Sequence, residues 1–320
     1  MSHITRRSLI ASLGASAIVA AVPLPGAARS KGQPTALPSV AYRKIGAVQI
    51  TALSDGFNDV AFGVFTGAPA SEIEGAFAAR FARRANGMHR LGMTVWLVDD
   101  GERLVLIDTG YAGGAPTTGR LPAVLAAISV RPEDIDAVLI THMHVDHISG
   151  LVADGRPVFP NAEVFIHRAD VAYFTDPARA AVAPAILKSS FATAASVVAS
   201  VRRLQRFDGE RALTRAISTV DLTGHTPGHT GFRITDGGES LLIVGDALFD
   251  PAIHPGRTDI GIAFEPDPAA ATAMRARLFR RAAEERALIA ATHMPFPGMG
   301  RIVRDSGQLR WAAADWELGS

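Results

Sequence analysis

The sequence predicts an α/β chain folded as an αββα sandwich: two mixed sheets packed core to core, with helices outside. Three observations carry this reading. Short runs rich in β-branched residues alternate with helix signals along the chain. Hairpin signals sit at Asp99-Asp100-Gly101 and Asp236-Gly237-Gly238, each between apolar segments. No Gly/Ser linker and no fixed-period repeat divides the chain. A single domain over residues 40–320 is therefore expected, although the roughly 290 residues after the first 28 could also make two small domains.

The elements follow in order. Thr5-Arg6-Arg7-Ser8-Leu9-Ile10 precedes an apolar run from Leu9 to Val22, then Pro23, Pro25 and small residues ending at Ala27-Ala28. This n-region, h-region and cleavage pattern resembles a twin-arginine export signal, read as residues 1–28. The apolar run is shorter than the roughly 20 residues a spanning helix needs. A periplasmic or secreted protein is expected, meeting the membrane only during export. Residues 29–39, with Gly32, Pro34 and Pro38, read as a flexible lead-in. Ser71-Glu72-Ile73-Glu74 is a capping box that should start a helix running to about Ala85. Met93 to Val98 and Arg103 to Ile107 should form the first hairpin, and Phe232 to Thr235 and Leu241 to Val244 the second. Ile135 to Ile140 reads as a buried strand. Asp267-Pro268 supplies an N-cap and a first-turn proline for a helix to about Glu285.

The chemistry is concentrated directly after Ile140. Thr141-His142-Met143-His144-Val145-Asp146-His147 places four potential metal ligands within six residues, and the chain has only ten His. Imidazole and carboxylate suit zinc and similar divalent ions, and ligands on a turn at a strand end can converge on one point. Three further candidates end other apolar runs: His229 in Gly224-His225-Thr226-Pro227-Gly228-His229-Thr230, Asp246 after Leu241 to Gly245, and His293 after Ala287 to Thr292. All would lie on loops at one sheet edge, held by a rigid scaffold.

These residues resemble the metallo-β-lactamase-fold hydrolases. The matching text is Leu106-Ile107-Asp108-Thr109-Gly110, the His142 to His147 cluster, Gly228-His229, Gly245-Asp246 and His293. Within that superfamily the chain most resembles the methyl parathion hydrolase and quorum-quenching lactonase branch. That likeness is carried by Ser149-Gly150-Leu151, His225 to Thr230, His293 to Gly300, and Gly307-Gln308-Leu309-Arg310-Trp311. The resemblance implies a metallo-β-lactamase-type sandwich and two divalent ions, with Zn2+ foremost. It implies one ion on His142, His144 and His229, the other on Asp146, His147 and His293, and Asp246 bridging both. Asp146 and Asp246 would also hold or receive a proton.

The implied activity is that of an exported hydrolase in which a hydroxide shared by two metals opens lactones or cleaves esters, with organophosphate triesters as a further substrate. The chain contains no Cys. This excludes the β-lactamases of this fold that use a Cys ligand, and the subclass without that Cys normally lacks the bridging Asp present here. No Gly-x-Ser-x-Gly elbow offers a side-chain nucleophile. The alternative is a metal-dependent redox enzyme of the same fold, such as a sulfur dioxygenase. That reading predicts bound iron, and its flavin version needs a domain for which the chain has no room. Without Arg6 and Arg7, the balance of 32 basic and 31 acidic side chains tips to −1. No basic field marks a nucleic-acid partner. The expected partner is a small ester, lactone or phosphotriester, and a homodimer is compatible with the reading.

Other residues invite two readings each. Asp108 could be a ligand, but a carboxylate orienting a ligand His fits the set better. His225 could replace His229 on the metal; the resemblance implies that the later His binds, leaving His225 to support the loop. His254 could contact substrate or sit exposed on a loop. Where the branch often carries a His after the bridging Asp, this chain reads Ala247-Leu248-Phe249-Asp250, so the leaving-group contacts differ. Phe57, Phe62, Phe65 and Trp96 could wall a pocket or belong to the core, with the core favoured. Arg80, Arg83, Arg84 and Arg90 read as the solvated side of a helix.

Overall fold

The computed structural model describes residues 39–315 except 83, 86 and 87. The export segment, the lead-in before Ser39, and Arg83 lie outside the described residues.

The first sheet is built by the N-terminal part of the chain. Its strands are β1 (Val40–Ile45), β2 (Val48–Ala61), β3 (Met88–Asp99), β4 (Leu104–Ile107), β5 (Ala137–Leu139), β6 (Glu163–His167) and β7 (Leu204–Phe207). They pair in that order, antiparallel from β1 to β4 and parallel from β4 to β7. The second sheet uses β8 (Ile217–Asp221), β9 (Thr230–Asp236), β10 (Glu239–Ile243), β11 (Leu288–Ala290), β12 (Met299–Asp305) and β13 (Gln308–Ala313). These too pair in order, with β10 and β11 parallel and the other neighbours antiparallel.

The alternation of side chains along the strands divides the core into layers. Trp96 and Val98 of β3, Val105 and Ile107 of β4, and Ala137 and Leu139 of β5 pack against Phe232, Ile234, Leu241, Ile243 and Ala290 of the other sheet. The intervening Val95, Leu97, Leu106 and Val138 face α2 (Leu121–Ala127), α4 (Arg168–Phe174) and α6 (Lys188–Ser200), with the short α5 (Pro177–Val182) between the last two in the chain. Met274, Leu278 and Phe279 of α7 (Pro268–Glu284) cover the opposite face, over Leu242, Val244 and Ile289. The order is helix, sheet, sheet, helix, as expected. Burying each such large apolar side chain contributes about 1.5–3 kcal/mol before entropy is counted.

The hairpins follow the turn residues. Val98 and Asp99 pair with Val105 and Leu104. Asp236 pairs with Glu239 across Gly237 and Gly238, whose φ angles of 58° and 82° form a two-residue turn with both central residues left-handed. Strand β3 begins at Met88 rather than Met93, because β2 runs alongside it past an irregularity between Ser54 and Gly56.

The helix expected from Ser71 to Ala85 is instead α1 (Ala70–Ala79), with Pro69 at its N-cap and no side-chain cap bond. It stops early because Phe81 turns left-handed at φ 55°, its amide bonding to the Ala78 carbonyl and that of Ala82 to Phe77. Arg80 reaches Asp250 at 2.6 Å. Arg90 lies on β3, not on a helix, pairing with both oxygens of Asp59 at 2.8 Å above the Phe57 ring. The Asp267 cap holds: its side chain accepts the Ala270 amide at 2.9 Å.

Candidate metal centre

The ends of β4, β5, β10 and β11 meet at one edge of the sandwich, and each releases a loop carrying chemistry. After β5, His142 and His144 precede the short helix α3 (Val145–Ile148), which carries Asp146 and His147. His225 and His229 lie between β8 and β9, Asp246 follows β10, and His293 follows β11. The burial is extreme for polar groups: His142, His144, His147, His225, His229, Asp246 and His293 are all at most 4% exposed.

Donor atoms of His142, His144, His225 and Asp246 lie within 4.8 Å of one another, and so do those of Asp146, His147 and His293. Asp246 sits between the two groups. Its Oδ2 is 3.4 Å from His225 Nε2, 3.6 Å from His142 Nε2 and 3.1 Å from His293 Nε2, while its Oδ1 is 3.2 Å from His147 Nε2. His144 Nδ1 is 3.0 Å from both His142 Nε2 and His225 Nε2. Asp146 Oδ2 is 3.4 Å from His293 Nε2.

His229, expected as a ligand, belongs to neither group, and His225 takes its place. The reason is local hydrogen bonding. The Nδ1 of His229 lies 3.1 Å from the Leu222 carbonyl, and its Nε2 accepts the Asp246 amide at 3.2 Å, so both ring nitrogens are used. Gly245, at φ 49°, permits this approach, since a Cβ there would stand 2.8 Å from that Nε2. His229 thus holds the backbone of Asp246.

Asp108 joins neither donor group and instead holds the ring of His147. Its Oδ2 lies 2.8 Å from His147 Nδ1, and Thr141 donates to it through both amide and hydroxyl. Its φ of 61° is left-handed, a region short polar Asp tolerates better than most residues. His293 is fixed by its Nδ1 at 2.9 Å from the Gly92 carbonyl and by Phe249 stacked on its ring at 4.9 Å. Phe249 occupies the region where a His had been the family expectation. His254 is neither exposed nor in contact with the cavity: it is fully buried beside Phe65 and Phe249. Phe65 and Trp96 are core residues, and Phe62 packs on Phe77.

Sequence reasoning missed two buried acids. Asp170 accepts the amides of Met143 at 2.9 Å and Gly228 at 2.6 Å and the hydroxyl of Thr226 at 2.9 Å, stitching the loop of His142 to that of His225. Glu265 faces His225 Nδ1 at 3.4 Å. Neither stands in a spaced motif; the only trace is an acid beside a helix start.

Burial, then the neighbouring imidazoles, hold His142 and His144 neutral well below the ordinary value. Burial also opposes charge on His147 and His293, but the carboxylates around them, led by Asp246, outweigh it and raise both. His225 is raised to about 8, since Asp246 and Glu265 overcome its burial. Asp246 stays ionised far below the usual carboxylate range, the surrounding imidazoles outweighing its burial. A buried carboxylate amid imidazoles is a cation trap in waiting. The donor chemistry fits divalent ions, and among the described residues the buried His147 Nε2 and Asp246 Oδ1, though 3.2 Å apart, complete no hydrogen bond.

A cavity of about 230 Å³ opens onto this cluster, with Asp146, His144, Asp246 and His293 at its floor. The sequence pattern of the metallo-β-lactamase superfamily matches residues 91–293, more than half the chain. The chain belongs to the metallo-β-lactamase superfamily. Among solved structures of this superfamily's fold, it is similar to the hydrolase AbOPH, with a TM-score of 0.80 and 28% identity over 88% of this chain and 99% of that one. It is similar to AidC, a dizinc quorum-quenching lactonase solved with a product, N-hexanoyl-L-homoserine, with a TM-score of 0.81 and 26% identity over the same shares. A hydroxyacylglutathione hydrolase of Vibrio vulnificus is 30% identical over 157 residues, 48% of this chain and 46% of that protein. The chain spans less than half the length of the first curated relatives it matches.

Proposed function

We propose that this superfamily member is a metal-dependent hydrolase that opens lactones or cleaves esters, with two divalent ions, zinc foremost, as cofactor. One observation carries the reading: two groups of buried donor atoms converge on Asp246 at the floor of a cavity with apolar walls. His142, His144 and His225 would hold one ion, Asp146, His147 and His293 the other, with Asp246 between them. When bound, such ions supply an ionised water near neutral pH and polarise the substrate oxygen.

The chain's own residues supply the rest. Asp146, its side chain 18% exposed, faces the cavity and is placed to hold or take a proton. Tyr111 lines the same cavity; burial, then the charge of Asp146, push its phenol up, so it remains a hydrogen-bond donor toward a substrate oxygen. Val60, Leu91, Met93, Ile186, Phe249 and Phe264 give an apolar wall that suits an acyl chain and displaces water. The likeness to AidC supports the lactone, and a site that accepts a tetrahedral carbon intermediate also tolerates a phosphotriester as a side substrate. Export through the twin-arginine segment to the periplasm or beyond is part of the proposal.

Elemental analysis after metal loading, then a hydrolysis screen on N-acyl lactones, aryl esters and phosphotriesters, tests it. Two ions per chain with metal-dependent turnover of a lactone or ester support the proposal. At most one ion, or bound iron with oxygen consumption in place of hydrolysis, would overturn it.

A further inference from the structure

We propose that Glu265, clamped by Arg275, is the positioning residue that fixes the His225 ring for metal binding. This rests on the metal reading of the centre. Glu265 and Arg275 have side chains fully shielded from water, and one guanidinium nitrogen of Arg275 bonds directly to Glu265 Oε1. Its other terminal nitrogen is 3.4 Å from Oε2, and its Nε donates to the Thr258 carbonyl at 3.1 Å. Burying such a pair costs several kcal/mol per ion in desolvation, so it is a weak device for stability alone.

Its direction is what marks it. Glu265 Oε2 accepts the Ile262 amide at 3.2 Å, which leaves Oε1 between Arg275 and the Nδ1 of His225. With Nδ1–H donated to that oxygen, the Nε2 lone pair of His225 points at the donor cluster, 3.0 Å from His144 Nδ1 and 3.4 Å from Asp246 Oδ2. Ring tautomer and ring plane are fixed together, as a ligand imidazole requires. Gly261 makes room for the carboxylate, because a Cβ there would stand 2.8 Å from Oε2. Arg275 comes from α7, so the outer helix layer is tied through two side chains to the centre. Asp108 plays the matching part for His147 from the other sheet.

The test is zinc release from the loaded full-length protein to a competing chelator, for wild type, Glu265→Gln and Glu265→Ala, beside thermal melting of the metal-free forms. Glu265→Ala should weaken one of the two ions about 10–100-fold and leave the other within about threefold. Glu265→Gln, which keeps an acceptor for Nδ1–H, should recover part of that loss. Cobalt-loaded Glu265→Ala should show an altered visible absorption for one ion. If Glu265→Ala fails to fold, Glu265→Gln alone decides, by weakening one ion selectively or not. Both ions held as tightly as in wild type, with only the metal-free melting temperature lowered, would make the pair merely structural and overturn the proposal. A wild type that binds no metal would overturn the metal reading itself, and this inference with it.

Discussion

The Nδ1 of His147 lies 2.8 Å from the Oδ2 of Asp108, although the two residues belong to loops after different strands. Asp108 also accepts the amide and hydroxyl of Thr141. Asp108→Asn should therefore loosen His147 without emptying the cluster. The expected result is roughly a 10–100-fold loss in affinity for one ion. Its melting temperature should also fall, since a bond to a charged group is worth about 1.5–3 kcal/mol. Chelator competition and thermal melting measure the two effects separately.

His225 and His229 should part company on mutation. His225→Ala removes a donor and should leave about one tightly held ion per chain. His229→Ala should keep both ions and lose stability, through the stranded Leu222 carbonyl and Asp246 amide. Elemental analysis of the two purified variants decides; equal metal loss in both would restore His229 as a ligand.

Asp246→Ala should abolish turnover and weaken both ions, because its two oxygens face imidazoles of both donor groups. His254→Ala, though it costs packing beside Phe249, should retain both ions. Near-normal activity in Asp246→Ala would refute the central placement of that carboxylate.

Asp170→Ala strands three donors at once, the amides of Met143 and Gly228 and the Thr226 hydroxyl. At about 1–3 kcal/mol for each buried unsatisfied group, it should rank among the most destabilising single changes near the centre. Urea denaturation measures it; a loss below about 1 kcal/mol would mean that the loops hold their own shape.

The metal-free protein should be most stable near pH 6.5. Asp246 and Glu265, outweighing burial, raise His225 to about 8 in the folded protein, above the ordinary imidazole value of about 6.5, so its contribution is complete below about 6.5 and is lost as pH rises through about 8. His147 and His293 are raised as well and act in the same sense. His229 and His254, held neutral by burial and by nearby cations, are lowered to about 3, so their contribution is present above 6.5 and is lost as pH falls toward 3. Zinc requires neutral ligands and should move the optimum upward. Melting curves across pH, with and without zinc, test the sign; a metal-free optimum above pH 8 would contradict it.

How much of this was legible depends on how far apart the interacting groups lie. The His142 to His147 cluster is local, and so are the strand ends that carry Asp246 and His293, so composition and spacing sufficed. The choice between His225 and His229 was not local. Both stand in one loop, and which ring turns inward is decided by the Leu222 carbonyl and the Asp246 amide. Asp170 and Glu265 were invisible for the same reason: the loop residues of the centre that they hold lie 27 to 58 residues away. The capping box at Ser71 misled because Pro69 begins the helix and Phe81 ends it.

The two sheets divide the chain cleanly, one from residues before 208 and the other from residues after 216. The donor groups do not respect that division. His142 and His144 come from the first part and His225 and Asp246 from the second; Asp146 and His147 come from the first and His293 from the second. Neither half of the molecule can assemble a complete shell alone, so each ion would act as a rivet through both. Metal affinity is then also adhesion between halves, and a chain nicked within 208–216 would stay fastened while loaded and be freer to separate once stripped.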